Sequence, residues 1–213
     1  LKGTEFMNYI ENLTERYSEL ECCKSKIYEA VNAIIDMYNN DGKLLMCGNG
    51  GSAADSSHIA GELLKGFLLK RTPSSKELEK LSSEGEIAEY AEKLQRGVCA
   101  ISLTEQGALL SAFANDVSAD AVYAQLVFAM HKKNDLFLGI STSGNSKNVV
   151  LAASCARALG LKTVALTGES GGKLDKICDI VIKVPASETY KVQEYHLPVY
   201  HYLCAEVEQI LFA

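Results

Sequence analysis

The chain has 213 residues, and 21 Lys and Arg against 27 Asp and Glu give it a formal net charge of −6. This acidic balance disfavours nucleic-acid binding, which draws on clustered basic side chains. The composition is 47% hydrophobic and 23% charged, as in a globular domain with a buried core. Its apolar runs have the length of strands, so we expect no membrane association. The seven cysteines lack CxxC spacing, which predicts buried reduced thiols. No charged and apolar leader precedes Met7, so we expect a cytoplasmic location.

The N-terminal part of the sequence predicts helices. Residues 1–6, LKGTEF, stand ahead of Met7 and resemble vector-encoded sequence, so we expect one domain over residues 7–213. Apolar residues recur at helical spacing over residues 7–40, and Asn39, Asn40, Asp41 and Gly42 stop the pattern. This spacing predicts an N-terminal helical arm.

After the arm, five short apolar segments alternate with helical ones, a pattern typical of α/β proteins. It predicts a central parallel sheet of five strands flanked by helices. A polar stretch at 68–97 lacks strand signals and predicts an exposed helical insertion, either a surface decoration or a cover for a pocket. A last helix is predicted at 189–212, with Pro198 expected to bend or restart it. The predicted strands are 43–47, 99–103, 136–140, 163–166 and 180–184.

The first candidate binding segment follows the first strand. In Gly48-Asn49-Gly50-Gly51-Ser52 the glycines allow backbone amides and the first turn of a helix to face an anion. The alternative is a tight turn with Ser52 as the N-cap.

The second candidate segment follows the third strand and is rich in hydroxyl groups. Ser141, Thr142, Ser143 and Ser146 flank Gly144, and neutral donors at the start of a helix suit a phosphate monoester, although a capping loop is the alternative. The chain lacks GxxxxGK[ST] and GxGxxG, so we expect no nucleotide cofactor. Two such loops at strand ends predict one pocket for a small anionic ligand.

Four further side chains are candidates for chemistry. His58 and Glu62 are spaced i,i+4 on one helix face, which suits a metal, an acid/base pair or a plain hydrogen bond. Gln193 and His201 stand about 12 Å apart along an ideal helix. We therefore expect them to reach one small site only through a bend at Pro198 or from different protomers.

Taken together, these motifs resemble the sugar isomerase (SIS) domain family, and within it the phosphoheptose isomerases. The resemblance runs from about residue 7 to the end, with a 68–97 segment longer than the family connection. Lys65, Gly66 and Phe67 stand where the family has an arginine, and Arg71 comes later. The motifs are GNGGS, HxxxE at 58–62, Asn115-Asp116, STSGNS at 141–146, LTG at 166–168 and QxxxxxxxH at 193–201.

The resemblance implies an aldose-ketose isomerase that converts sedoheptulose 7-phosphate into D-glycero-D-manno-heptose 7-phosphate through an enediol. Glu62 would be the general base and His201 its acid/base partner, the two groups that such a proton transfer needs. It also implies a homotetramer. The residues implied to bind substrate are Asn49, Gly50, Gly51, Ser52, Glu62, Asn115, Asp116, Ser141, Thr142, Ser143, Ser146 and Gln193.

Some family members hold a zinc ion, and the positions matching its ligands here are His58, Glu62, Gln193 and His201, for one Zn²⁺ per subunit. The family also leaves two alternatives open. One is a noncatalytic regulator that binds a replication initiator or senses a sugar phosphate, and the presence of Glu62 and His201 argues against it. The other is an isomerase for a different sugar phosphate.

Overall fold

The computed structural model describes residues 8–213, so the interpretation of residues 1–6 lies outside the described part of the chain. A five-stranded sheet, parallel throughout, forms its centre in the order β2-β1-β3-β4-β5. The predicted parallel sheet is confirmed, and each predicted strand boundary lies within one residue of the observed one. The strands are β1 Leu44–Cys47, β2 Ala100–Ser102, β3 Leu136–Ser141, β4 Lys162–Thr167 and β5 Ile180–Lys183.

Helices cover both faces of the sheet, which explains why its strands are apolar on both sides. Leu44 and Met46 pack on the face that carries α1, α2, α3 and α8, whereas Leu45 and Cys47 pack against α6 and α7. The described helices are α1 Tyr9–Arg16, α2 Lys24–Asn39, α3 Gly51–Leu64, α4 Ser75–Ser82, α5 Gly107–Phe113, α6 Val122–Met130, α7 Lys147–Ala158 and α8 Thr189–Phe212.

The N-terminal arm is helical as predicted, and it folds onto its own chain. Ile10, Leu13 and Ile27 are fully buried in the core shared with α8. The first turn of α1 is fixed by Glu206, whose carboxylate accepts the Tyr9 backbone N–H at 2.7 Å. The apolar stripes of α1 and α2 are therefore covered within one protomer.

The segment 68–97 forms α4 and a 3₁₀ helix, Gly85–Lys93, and most of its side chains are exposed. Arg71 departs from the predicted exposure because the residue is only 2% exposed. It donates to Glu208 Oε1 at 2.7 Å and to the Leu63 carbonyl at 2.6 Å. Glu208 also accepts backbone N–H groups of residues 67–69, so this ion pair ties the insertion to α3 and α8.

The last helix has the predicted bounds, but it does not restart at Pro198. α8 runs without interruption from Thr189 to Phe212 with Pro198 inside it. Buried contacts of Val192, Val199 and Leu203 on both sides of the proline hold the helix against the core, which offsets the loss of one backbone hydrogen bond. Within residues 8–213, no helix has the length and apolar character to cross a bilayer.

Candidate active site

Both candidate loops lie at the carboxyl edge of the sheet, on neighbouring strands. β1 pairs with β2 on one side and with β3 on the other, so the chain direction across the sheet reverses between β1 and β3. A crevice forms outside the strand ends at such a point, and ligands of open α/β sheets bind there. The glycine loop after β1 and the serine loop after β3 follow these two neighbouring strands, so they would form the two walls of such a crevice.

The two loops are joined by a pair of asparagines. Asn49 Nδ2 donates to Asn148 Oδ1 at 2.8 Å, and Asn148 Nδ2 donates back to Asn49 Oδ1 at 2.9 Å. Tyr123 fixes the base of the glycine loop through a 2.8 Å hydrogen bond from its hydroxyl to the Gly48 carbonyl. Asn148 is a residue of the site that the sequence analysis missed, because the STSGNS motif ends before it.

The structure of the glycine loop also shows whether Ser52 is the N-cap of α3. Gly50 is the N-cap of α3, with a φ of 55° that favours glycine. Ser52 lies in the first turn with its side chain buried, so it is not the capping residue. The first turn of α3 therefore has no capping side chain.

The serine loop presents hydroxyl groups at the start of α7. Ser141 and Ser146 bind each other at 2.9 Å between hydroxyl oxygens, so Ser146, the N-cap residue, makes no capping bond to the helix backbone. Thr142 is half-buried and Ser143 is exposed. Gly144 has a φ of 65°, and a Cβ there would meet the Gly171 carbonyl oxygen at 1.9 Å. Only glycine fits at that position.

Asn115 and Asp116 lie on a short π-helix, Ala114–Ser118, in the connection that follows β2. Both are exposed, and the Asn115 amide donates to Asp116 Oδ1 at 2.8 Å. An ion pair of 2.5 Å between Asp120 and Lys147 links this segment to the first turn of α7. The predicted pair is thereby tied to the helix that carries the serine loop.

The candidate catalytic groups meet between α3 and α8. His58 Nε2 lies 3.2 Å from Glu62 Oε1 and 3.4 Å from His201 Nε2. The Glu62 side chain is only 16% exposed, and Lys65 Nζ lies 3.2 Å from its other oxygen. Desolvation, and then repulsion by His58, lower the pKa of His201 below its ordinary value, against the opposing effect of Glu62.

Two more side chains extend this cluster on the side of His58. The Tyr200 hydroxyl lies 3.0 Å from His58 Nδ1. Asp55, one turn before His58 on α3, has its pKa raised to about 6 by burial, with opposing effects of Tyr200 and His58. Neither residue was singled out from the sequence. Tyr200 occupies an undefined position of the 193–201 motif, and Asp55 lies in no recognised motif.

Gln193 lies apart from the histidine cluster within one protomer. Its amide packs on the first turn of α3, where a Cβ on Gly51 would meet Gln193 Nε2 at 2.4 Å. His201 faces His58, two turns further along α3. The structure therefore brings three of the four predicted metal ligands together and places Gln193 beside the glycine loop.

Comparison with known proteins assigns the family. Two sequence profiles described as the SIS domain match residues 90–203 and 5–105. The chain is 37% identical over 205 residues to the phosphoheptose isomerase of Helicobacter pylori strain P12, covering 96% of this chain and 93% of that protein. The chain belongs to the SIS domain family and, within it, to the phosphoheptose isomerases.

Solved structures of phosphoheptose isomerases share the fold over nearly the whole chain. The enzyme from Francisella tularensis is 29% identical with a TM-score of 0.74, covering 94% of this chain and 95% of that one. The structure from Neisseria gonorrhoeae is 30% identical with a TM-score of 0.69, covering 93% and 97%. The predicted family and fold class are confirmed.

The family resemblance implies a zinc ion, so the donor atoms that zinc prefers can be compared with the side chains present. Two imidazole nitrogens and a carboxylate oxygen are donors that Zn²⁺ prefers, and three protein ligands are usual in catalytic zinc sites. His58, Glu62 and His201 supply that set of donor types, arranged here as a hydrogen-bonded cluster. Within residues 8–213, no three or more His, Cys, Asp or Glu side chains are arranged as a metal centre.

Proposed function

We propose that this phosphoheptose isomerase converts sedoheptulose 7-phosphate into D-glycero-D-manno-heptose 7-phosphate. The observation that carries the proposal is the contact of Glu62 and His201 with the same imidazole, His58, on the helix that begins at the glycine loop. A noncatalytic regulator has no need of this acid/base pair and is not favoured.

The phosphate end of the substrate would bind at the crevice between the two loops. Ser141, Thr142, Ser143 and Ser146 offer hydroxyl donors, and α7 adds the positive end of its dipole. On the facing wall, Asn49, Gly50, Gly51 and Ser52 offer the first turn of α3. The remaining substrate contacts that we propose are Asn115, Asp116 and Gln193.

The reacting carbons would lie at the His58 end of α3. Glu62 removes a proton from C1, which produces an enediol, and returns the proton to C2. His201 gives a proton to the oxygen on C2 and takes one from the oxygen on C1. The lowered pKa of His201 favours its neutral form near pH 7, and a neutral imidazole both donates and accepts a proton.

We also propose that His58, Glu62 and His201 are the residues that hold zinc, with Gln193 as the fourth family ligand. Zinc bound there would polarise the sugar carbonyl as a Lewis acid. The donor types support this assignment. A titration of the purified protein with ZnSO₄ in competition with a chromophoric chelator measures it, and His58→Ala is expected to abolish tight binding.

We propose a homotetramer in the cytoplasm as the working form. Leu64, Leu68 and Phe128 are exposed by 51%, 54% and 61%, and such large apolar side chains favour contact between subunits. Light scattering alongside an activity assay tests the assembly, and full specific activity at the mass of one chain would contradict it. All seven cysteines are free of disulfide bonds, as is usual for proteins of the reducing cytosol, and this supports the proposed location.

The reaction itself is tested by incubating purified protein with sedoheptulose 7-phosphate and following the sugar by NMR. We expect an aldoheptose phosphate to accumulate until the two sugars reach equilibrium. Fructose 6-phosphate serves as the matched ketose phosphate, and preferential conversion of this shorter sugar would reassign the substrate.

A further inference from the structure

The loop after β4 packs directly on the serine loop. This LTG loop, residues 168–174, begins at the glycine of the LTG motif and ends at Leu174, the first residue of a 3₁₀ turn. β4 pairs with β3 up to Ser141 and Thr167, so the two loops leave the carboxyl edge of the sheet side by side. None of the residues 168–174 is among the proposed substrate or metal contacts.

Two backbone hydrogen bonds join the loops. The Gly168 N–H donates to the Thr142 carbonyl at 2.9 Å, and the Leu174 N–H donates to the Gly144 carbonyl at 3.1 Å. The serine loop is therefore held from both ends of the LTG loop. Because these bonds join backbone atoms, they fix the path of the serine loop whatever side chains it carries.

Asn145 adds a side-chain link between the two loops. Its Oδ1 accepts the Lys173 N–H at 3.0 Å, and its Nδ2 donates to the Ser143 carbonyl at 2.9 Å. Its own backbone N–H donates to Ser143 Oγ at 3.2 Å. The side-chain amide thus uses its donor and its acceptor at once, and alanine at this position would remove both links.

Gly172 lets the backbones of the two loops touch. A Cβ at this position would meet the Ser143 carbonyl oxygen at 2.4 Å and the Gly144 carbonyl carbon at 2.7 Å. A methyl group there would therefore push the serine loop away. The carbonyl oxygens of residues 142–144 thus all lie against the LTG loop or the Asn145 amide.

We propose that the LTG loop is a clamp that holds the serine loop in its phosphate-binding conformation, with Asn145 and Gly172 as positioning residues. Carbonyl oxygens carry partial negative charge, and their engagement by the clamp keeps them from repelling the phosphate. A loop that is ordered in advance also loses less conformational entropy when its ligand binds. The inference rests on the proposed function for the identity of the ligand, whereas the clamp itself is a property of the folded chain.

The test titrates inorganic phosphate into the protein and follows the backbone amide resonances of residues 141–146 by NMR. Asn145→Ala and Gly172→Ala should each raise the Kd for phosphate roughly 5-fold or more, the scale of one or two lost hydrogen bonds. The KM for sedoheptulose 7-phosphate should rise by a similar factor. Because the clamp acts on the phosphate end of the substrate, kcat should change little.

Gly160→Ala is the matched control for Gly172→Ala. The two glycines have positive φ values of 79° and 56°, so alanine strains the backbone at both. A Cβ on Gly160, however, would meet no other part of the chain within 4 Å, so phosphate affinity should be unchanged in this control. Asn40→Ala is the control for Asn145→Ala, because the exposed Asn40 amide donates to the Asp36 carbonyl of its own helix at 2.7 Å.

Amide hydrogen exchange keeps the inference testable if Gly172→Ala folds poorly. Asn145 is exposed, so Asn145→Ala should fold, and its Lys173 N–H should exchange faster than in the wild type. Unchanged phosphate affinity and KM in folded Asn145→Ala would overturn the inference, as would a fall in kcat alone. If phosphate binding weakens in the variants while wild-type protein does not isomerise sedoheptulose 7-phosphate, the proposed function fails and the clamp stands.

Discussion

Asn49 and Asn148 bind each other through two reciprocal amide hydrogen bonds of 2.8 and 2.9 Å. This pair holds the glycine loop against the first turn of α7, so the two walls of the crevice are positioned as one unit. Each amide group donates through its nitrogen and accepts through its oxygen, which an ionised aspartate, an acceptor only, does not reproduce.

Asn148→Ala should therefore weaken the binding of the phosphorylated sugar. Removing both bonds leaves the Asn49 amide without its partner, and two bonds of about 1 kcal/mol each correspond to a KM increase of roughly 10-fold or more. Because Asn148 lies remote from the reacting carbons, kcat should change little. Steady-state kinetics measure both constants, with Ser154→Ala on the outer face of the same helix as the control. A large fall in kcat at unchanged KM would assign Asn148 to the chemical step.

Arg71 should be important for stability although it lies in a polar segment. Arg71→Met leaves the Glu208 carboxylate buried without its cation, which should lower the free energy of unfolding by about 3–5 kcal/mol. Urea denaturation measures the loss. Lys147→Met is the control, because the Lys147–Asp120 pair is exposed and should contribute less than about 1 kcal/mol. Equal effects of the two substitutions would contradict a structural role for the buried pair.

His196 should make the protein sensitive to mild acid. Burial lowers its pKa from 6.5 to about 4, and its side chain is fully buried. Below pH 6.5 the unfolded chain binds a proton that the folded chain does not, so stability falls as the pH drops from about 6.5 to about 4. The total loss is on the order of 3 kcal/mol.

His196→Leu should remove this part of the pH dependence while leaving the protein folded at pH 7. Denaturation curves between pH 4 and pH 7.5 measure the slope, and His131→Leu on the partly exposed surface is the matched control. A wild-type slope that survives in His196→Leu would assign the acid sensitivity to other groups.

The strands and the two loops could be predicted because their signals are local. Glycines directly follow the apolar run at 44–47, and a helix directly follows the hydroxyl run at 141–146. In both cases the residues that determine the local structure are neighbours in the sequence. Partners distant in sequence leave no such signal. Asn49 and Asn148 are 99 positions apart and meet only because β1 pairs with β3.

The same reason explains the other differences between expectation and structure. Arg71 lies in a segment whose composition predicts exposure, yet its buried partner Glu208 is 137 positions away. Helical spacing placed Gln193 and His201 two turns apart, and the uninterrupted α8 keeps that separation, with Gln193 on Gly51 and His201 on His58. Tyr200 was missed because its contact with His58 depends on which face of α8 meets α3.

The most direct test of the account is the turnover of sedoheptulose 7-phosphate by wild-type protein, Glu62→Gln and His201→Ala, followed by NMR. The account predicts an aldoheptose phosphate with the wild-type protein and a fall in kcat of roughly 100-fold or more in each variant, the scale of a general acid/base group. Glu92→Gln, on the exposed 3₁₀ helix of the insertion, should retain full activity. No turnover by wild-type protein, or near-normal turnover by Glu62→Gln, would contradict the central claim.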